Sequence, residues 1–576
     1  MRAAVPCTGR AYGESTIFAS ARSAWHREKV QTLSRFVVVH LLILVGLGCA
    51  SAHPSRPLTP TGVVLSAAEP ESEQPPDEQE PASGPASQPA PSPEQRLSQL
   101  RQRLELELAA PELERARVSL VVAPAAGGDP LFELEPEAHR VPASNAKLLT
   151  SVAALKTLPG RYGFVTEYSV RGSRLHIWGN GDPALRGGEL LALGRQLRAR
   201  GLTRVSGVVV DDSYFDRRAR LAPGFQSFGE GAYYRPTSGA LSVNGNSVTV
   251  KVTAPRDRKR PRVDVYPPSD YVKVRKLVRY LPRRSKKHTA IRVSVRPRGS
   301  IMWVTVSGVM RRGERSWRTR RAVYDPGLAT GWAVRRALVK AGVQVSGSVW
   351  RGRRPTGARL LLRRARPLGA VLARVNTHSD NLAAEHLVRA MGSLDKSQRA
   401  GSWLVGLAAL HKALEELGLS DFWLGNGSGL HRKSWVTART MVALLQKVFG
   451  DERLKHALLP TLAVAGQSGT LAPRMRGSAA QGVLHAKTGT LAGALALSGF
   501  VDPEGASPLV FSLLVNGRSD HAVRDRMDRI GVLLARYATD RPLTEAPTTE
   551  PATQPASQPA SAPTSQPTDE DEGEAL

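Results

Sequence analysis

Cysteine is almost missing from this chain: Cys7 and Cys49 are the only two in 576 residues. Two thiols cannot build a disulfide framework or a four-cysteine zinc module. A membrane-length apolar run is missing at the N-terminus as well, where Phe36–Leu47 spans twelve residues, too few to cross a bilayer as a helix. Acidic side chains are scarce: 50 Asp and Glu face 80 Lys and Arg, for a net charge of +30. A surplus of that size invites a nucleic-acid reading, yet no nucleic-acid motif accompanies the Arg-rich stretch 251–367.

The charge is unevenly placed. Residues 1–52 carry a net +4, residues 53–95 a net −6 and residues 541–576 a net −6, which leaves +38 on residues 96–540. Both acidic flanks are dominated by Pro, Ala, Ser, Gln and Thr. Such segments cannot bury enough apolar surface to offset the entropy of ordering, so 53–95 is expected to be a disordered Pro/Glu-rich linker and 541–576 a disordered acidic tail. Residues 1–52 read as a signal segment, with Arg35 before the apolar run and Ala50-Ser51-Ala52 as a small-residue cleavage site after it. Export, with a periplasmic destination, is expected. Cleavage after Ala52 removes both cysteines, which excludes a thiol nucleophile. Cys49 after Gly48 is the alternative, a lipoprotein site, although Gly46 stands where that motif prefers Leu. Membrane attachment is expected only if Cys49 is lipidated.

The hydrophobic pattern of the middle alternates in kind. A helix is expected over Gln95–Leu108, paired strands over Ala116–Ala123 and Leu131–Leu134, and a helix from Ser144 to Leu158. Short strands dominate from Phe164 to Val345, with many basic ones between 251 and 325. Helices return at about 368–390, 398–417 and 437–449, then strands near Gly482–Lys487, Gly493–Val501 and Leu509–Val515, then a helix over 519–537. Helix-and-sheet, a β-rich middle and helix-and-sheet again describe one α+β domain interrupted by insertions. The expected parts are 96–163 and 367–540 for the interrupted domain, 164–250 and 326–366 for one inserted domain, and 251–325 for a basic β-rich one.

Three motifs carry chemistry. Ser144-Asn145-Ala146-Lys147 places Ser and Lys three residues apart on one helix face. A lysine amine made neutral by burial and cationic neighbours could take the serine proton; the plainer reading of Ser144 is a helix N-cap. Ser393-Leu394-Asp395-Lys396 repeats the spacing in a polar stretch with no apolar helix behind it and is read as a chance match. Ser379-Asp380-Asn381 offers a hydroxyl for proton relay and an amide for a substrate, or simple helix capping. Lys487-Thr488-Gly489-Thr490 ends a strand-like run with a cation, a hydroxyl and a position without a side chain, a set suited to a carboxylate lying along a strand edge.

In this order the motifs resemble those of penicillin-binding proteins and class A β-lactamases. The gap from Lys147 to Ser379 is 232 residues, far too long for a β-lactamase. The chain resembles the low-molecular-mass class C penicillin-binding proteins, the D-alanyl-D-alanine carboxypeptidase/endopeptidase family, which inserts two domains between its first two motifs. GNGDPAL (179–185), VSGVVVDDSYFD (205–216), SGALSVNGNSVTV (238–250), NGSGLHR (426–432), SGTL (468–471) and AKTGTL (486–491) support this over roughly residues 96–540. Asn426 and Ser468 stand where the family usually has Asp.

The resemblance implies a discontinuous transpeptidase-type domain, an antiparallel sheet flanked by helices, with two inserted domains. It implies that Ser144 attacks the D-Ala-D-Ala carbonyl, Lys147 is the base, Ser379 passes the proton to the leaving amine and Asn381 orients the substrate. Lys487, Thr488, Gly489 and Thr490 would bind the terminal carboxylate end, with the backbone N–H groups of Ser144 and Thr490 as oxyanion hole. Arg432 would lie near the substrate, and Glu230 is the nearest acidic residue to contact a stem peptide. Peptidoglycan stem peptides are the implied substrate and β-lactams the covalent inhibitors. No cofactor and no metal is expected. Anionic envelope polymers are a further expected partner for the basic surface, and nucleic acid is not. Two other functions stay open on the sequence: a wall-binding scaffold with little activity, and a β-lactamase or esterase, for which no dedicated deacylation base is identifiable.

Overall fold

The computed structural model describes residues 91–543 apart from 226–231, 256, 258, 283, 396, 398 and 399. The signal segment, nearly all of the two acidic flanks and Glu230 lie outside the described residues.

One six-stranded antiparallel sheet organises the interrupted domain, in the order Ala463–Val464, Leu484–Leu491, Ala494–Val501, Leu509–Asn516, Arg117–Pro124 and Phe132–Leu134. Strands Ala494–Val501 and Leu509–Asn516 are buried at every residue, because both faces are covered. Alternate side chains serve opposite layers. Leu120, Val122, Leu497, Leu513 and Val515 pack with Leu100, Met527, Ile530 and Leu534 of the helices Pro93–Leu108 and His521–Ala538. Val121, Ala123, Phe500, Val510 and Leu514 pack with Leu148, Val152, Leu387 and Leu445 of the helices on the other face. The outcome is three layers, helix, sheet and helix.

The helix Pro93–Leu108 starts on a reciprocal cap: Ser92 accepts from the Gln95 N–H while the Gln95 side chain accepts from the Ser92 N–H. The segment expected as one helix over 368–390 is two, Leu368–Asn376 and Asn381–Gly392. The break falls where Ser379 takes φ of 56°, a left-handed conformation that a non-glycine residue adopts only when its surroundings hold it there.

The insertion leaves the six-stranded part after the helix Ala146–Thr157 and returns at Leu368. Its first sheet has the order Val349–Arg351, Gly207–Asp211, Arg174–Gly179, Gly163–Arg171 and Arg359–Pro367, and the helix Pro326–Lys340 packs on it. Two three-stranded sheets make the basic part. One pairs Trp317–Ala322, Ser247–Thr253 and Arg262–Tyr266; the other pairs Ala290–Arg298, Ile301–Met310 and Val272–Tyr280. A single apolar cluster runs through both parts, from Tyr168 and Val210 to Val304 and Val306. Arg389, fully buried on the helix Asn381–Gly392, donates to the Asp216 and Ala219 carbonyls of the insertion and lies over the Phe215 ring at 4.6 Å, tying the insertion to the helix that starts at Asn381.

Candidate active site

Ser144 sits in a 3₁₀ turn, Ala143–Asn145, that feeds directly into the helix Ala146–Thr157. Its hydroxyl makes no capping bond; its partner is the Lys147 ammonium, 2.9 Å away. The turn is tight, and Ala143 has φ of 45°. Gly429 lies so near that a side chain there would come within 1.8 Å of the Ala143 carbonyl oxygen.

Lys147 is fully buried and makes three hydrogen bonds, to Ser144 Oγ at 2.9 Å, Asn381 Oδ1 at 2.7 Å and the Ser428 carbonyl at 2.8 Å. Burial pulls its pKa down to about 7, against the opposing pull of Glu385 and Asp380. Two of its three partners are carbonyl-type oxygens that can only accept. When the amine is neutral its two N–H groups therefore stay on Asn381 and Ser428, and its lone pair faces the Ser144 hydroxyl. This bond geometry, together with the lowered pKa, readies Lys147 to receive the Ser144 proton.

The second motif divides its labour. Asp380 caps the helix, accepting from the Ala383 N–H at 3.1 Å, and is held by Arg374 at 2.6 Å. Capping by Asp380 leaves the neighbours for the site: Asn381 reaches Lys147 and donates to the Tyr234 carbonyl at 2.8 Å, while Ser379 Oγ accepts from Lys487 at 3.0 Å. Ser393, the chance match, closes the same helix and donates to the Ala390 carbonyl; its partner Lys396 lies outside the described residues.

Lys487 lies on the strand Leu484–Leu491 and is also fully buried. It donates to Ser379 and to the Thr488 carbonyl at 2.7 Å. Burial, and then the nearby Lys147 charge, hold its pKa well below the ordinary lysine value. Thr488 bonds Thr470 of the SGTL turn at 2.8 Å, and Thr490 is exposed at the strand's end. At Gly489 a side chain would stand 3.0 Å from the Pro142 carbonyl oxygen and 3.2 Å from the Ser144 nitrogen, so only a residue without one lets this strand approach the serine turn. Arg432 donates to the Ala492 carbonyl, in the turn just past this strand, at 3.3 Å. Ser144, Lys147, Ser379, Asn381, Lys487, Thr488 and Gly489 thus converge on one place, with Arg432 and Thr490 at its edge.

Reasoning from sequence missed two supporting residues. Glu385, buried one turn beyond Asn381, accepts from the N–H groups of Ser428 at 2.9 Å and Gly427 at 3.3 Å and from the Trp403 indole at 2.9 Å. It holds the loop whose Ser428 carbonyl holds Lys147; its one sequence signal is an acid one turn from both Asn381 and Arg389 on a helix rich in apolar residues. Asn145 spans from the serine turn to the Lys487 strand: with its amide oriented to satisfy both ends, it donates to the Lys487 carbonyl at 2.8 Å and accepts from Ser498. Asn426, where an Asp is usual, accepts from the Gly429 N–H at 2.9 Å and donates to the Pro223 carbonyl at 2.9 Å, a donation a carboxylate cannot make. Ser468 accepts from the Val464 N–H at 3.0 Å. Among the described residues no group of three His, Cys, Asp or Glu is placed to hold a metal ion, and no helix is long and apolar enough to cross a membrane.

The sheet and its covering helix layers are those of a known penicillin-binding protein. The family model for D-Ala-D-Ala carboxypeptidase 3 (S13) matches residues 100–537. A D-alanyl-D-alanine carboxypeptidase of Actinomadura sp. (strain R39) is 34% identical over 474 residues, covering 77% of this chain and 86% of that protein. The D-alanyl-D-alanine carboxypeptidase DacB of Haemophilus influenzae is 25% identical over 405 residues, 67% of this chain and 82% of that one. The crystal structure of penicillin binding protein 4 from Haemophilus influenzae shares the fold, with a TM-score of 0.63 at 22% identity over 75% of this chain and 97% of that one. The chain belongs to the D-Ala-D-Ala carboxypeptidase 3 (S13) family.

Proposed function

We propose that this protein, a serine-type D-Ala-D-Ala peptidase by family, trims or uncrosslinks peptidoglycan stem peptides through an acyl-enzyme on Ser144. The observation that carries the reading is the triple hydrogen bonding of Lys147, which leaves the lone pair of the neutral amine on the Ser144 hydroxyl. Ser144 Oγ attacks the carbonyl between the two D-alanines as Lys147 takes its proton. The N–H groups of Ser144 and Thr490 receive the developing oxyanion. The proton passes through Ser379 to the leaving amine, the C–N bond breaks, and D-alanine or the acceptor stem's amine departs, leaving the donor stem as an ester on Ser144. Water then attacks the ester and restores Ser144. Lys487 and Thr488 hold the terminal carboxylate, Gly489 admits the peptide backbone, Asn381 orients its amide, and Arg432 and Glu230 contact its flanks. β-Lactams acylate Ser144 by the same first step.

The reaction places the protein outside the cytoplasm, after cleavage following Ala52 or lipidation at Cys49; the mass of the mature N-terminal peptide distinguishes the two. Fluorescent penicillin should label the wild type and not Ser144→Ala; labelling that survives the substitution removes Ser144 as nucleophile. D-Alanine release from a pentapeptide, set against cleavage of a cross-linked dimer, measures the balance between carboxypeptidase and endopeptidase action.

A further inference from the structure

The lobe 247–322 holds 23 of the chain's 80 basic residues and only four acidic ones, Asp257, Asp264, Asp270 and Glu314. None of the four lies on the strands Val272–Tyr280, Ala290–Arg298 or Ile301–Met310. Asp264 pairs with Arg262, Asp270 faces Arg335 and Glu314 accepts from Thr289, so the lobe's acids do not neutralise this sheet.

The strand pairing sorts the side chains of the sheet. Val278, Val293, Val295, Met302, Val304 and Val306 are buried on one face. On the other, Trp303 of the middle strand stands in register with Lys273 on one side and Arg296 on the other. Arg275 and Arg292 stand in register with Thr305 and Ser307 along the same strand, and Arg279 with Val309. Arg298 reaches back over the Trp303 ring, 5.9 Å from its centroid. All six cations are exposed. Strands lie about 4.8 Å apart and same-face residues about 7 Å apart along a strand, so the face is a lattice of positive charge around one half-buried indole.

We propose that this face binds an acidic polysaccharide, a sugar ring resting on Trp303 while its anionic substituents reach Lys273 and Arg296 on either side. The fit is one of charge and of shape. A ring seated over the indole has a cation at about one strand spacing to each side. A single aromatic on the face gives one seat, whereas single-stranded nucleic acid needs successive aromatic platforms for successive bases. The surface would hold the enzyme on an anionic glycan of the envelope while the active site works on peptide, and it stands independently of the chemistry assigned to Ser144.

Affinity electrophoresis of the full chain through gels containing polygalacturonate, neutral dextran or oligo(dT) tests it. Polygalacturonate should retard the wild type and dextran should not, and raising salt from about 50 to 300 mM should weaken binding about tenfold or more. The triple variant Lys273→Gln/Arg275→Gln/Arg296→Gln should lose about tenfold in affinity and Trp303→Ala about threefold. Both should still be labelled by fluorescent penicillin, which verifies their fold. The proposal is overturned if polygalacturonate does not retard the wild type or if the triple variant binds equally well. It is also overturned if Trp303→Ala changes nothing, which would leave a plain cationic surface, or if oligo(dT) binds more tightly than the glycan.

Discussion

Glu385 accepts the Ser428 N–H at 2.9 Å, and the carbonyl of that same residue accepts from Lys147 at 2.8 Å. A buried carboxylate thus sets the position of the Lys147 amine through one residue of backbone. Its two oxygens already serve three donors, from Gly427, Ser428 and Trp403. Glu385→Gln would turn an amide N–H₂ toward one of them, costing about 1–3 kcal/mol. It would also remove a negative charge that raises the Lys147 pKa. The expected result is a lower melting temperature, slower acylation, and an acid limb of the pH–rate profile displaced to lower pH. An unmoved profile would reduce Glu385 to a packing role.

The Lys147 pKa of about 7 fixes the direction of pH dependence. The protonated amine has no lone pair for the Ser144 proton. The second-order rate constant for acylation by penicillin should therefore rise about tenfold per pH unit below 7 and level off above it. Stopped-flow acylation from pH 5 to 9 measures this; a rate that falls with rising pH across that range excludes neutral Lys147 as the base.

Asn426→Asp is not a neutral exchange in this chain. The carboxylate keeps the bond from the Gly429 N–H, loses the donation to the Pro223 carbonyl and sets a buried negative charge against that oxygen. A destabilisation of about 1–3 kcal/mol is expected in urea unfolding. A variant as stable as the wild type would mean that the Pro223 contact contributes nothing.

Gly429→Ala should be more severe. The glycine holds φ of 78°, and an added carbon would meet the Ala143 carbonyl oxygen at 1.8 Å. Relief requires moving the serine turn itself, so a loss of about 3 kcal/mol or more is expected together with loss of penicillin labelling. Thermal melting and labelling on the same sample check both halves.

The three motifs were legible because each is local. Ser144 and Lys147 need only helical spacing, and Lys487 to Thr490 need only a strand edge. Their junction was not local: Lys147 meets Asn381 across 234 positions, and only the order of motifs pointed to it. Glu385 stayed hidden because its partners at 427 and 428 lie on a separate loop. The helix break at Ser379 escaped the pattern because apolar spacing continues on both sides, from Val371 and Val375 to Leu382 and Leu387. Packing holds the positive φ, and no residue preference announces it. The β-rich character of 251–325 was plain from alternation, while Ser247–Thr253 runs through position 250, since a strand's own pattern does not say which sheet it will join.

The helices Pro93–Leu108 and His521–Ala538 share one face of the central sheet, and Arg96 meets Asp540 at 3.4 Å while donating to the Tyr537 carbonyl. The start and the finish of the described fold are therefore neighbours. A domain that the linear chain splits in two is a closed circuit in space. Its two ends could be joined by a short linker and new termini opened at the exposed turn around Gly299, giving a circular permutant with the serine turn and the Lys487 strand still supported as before.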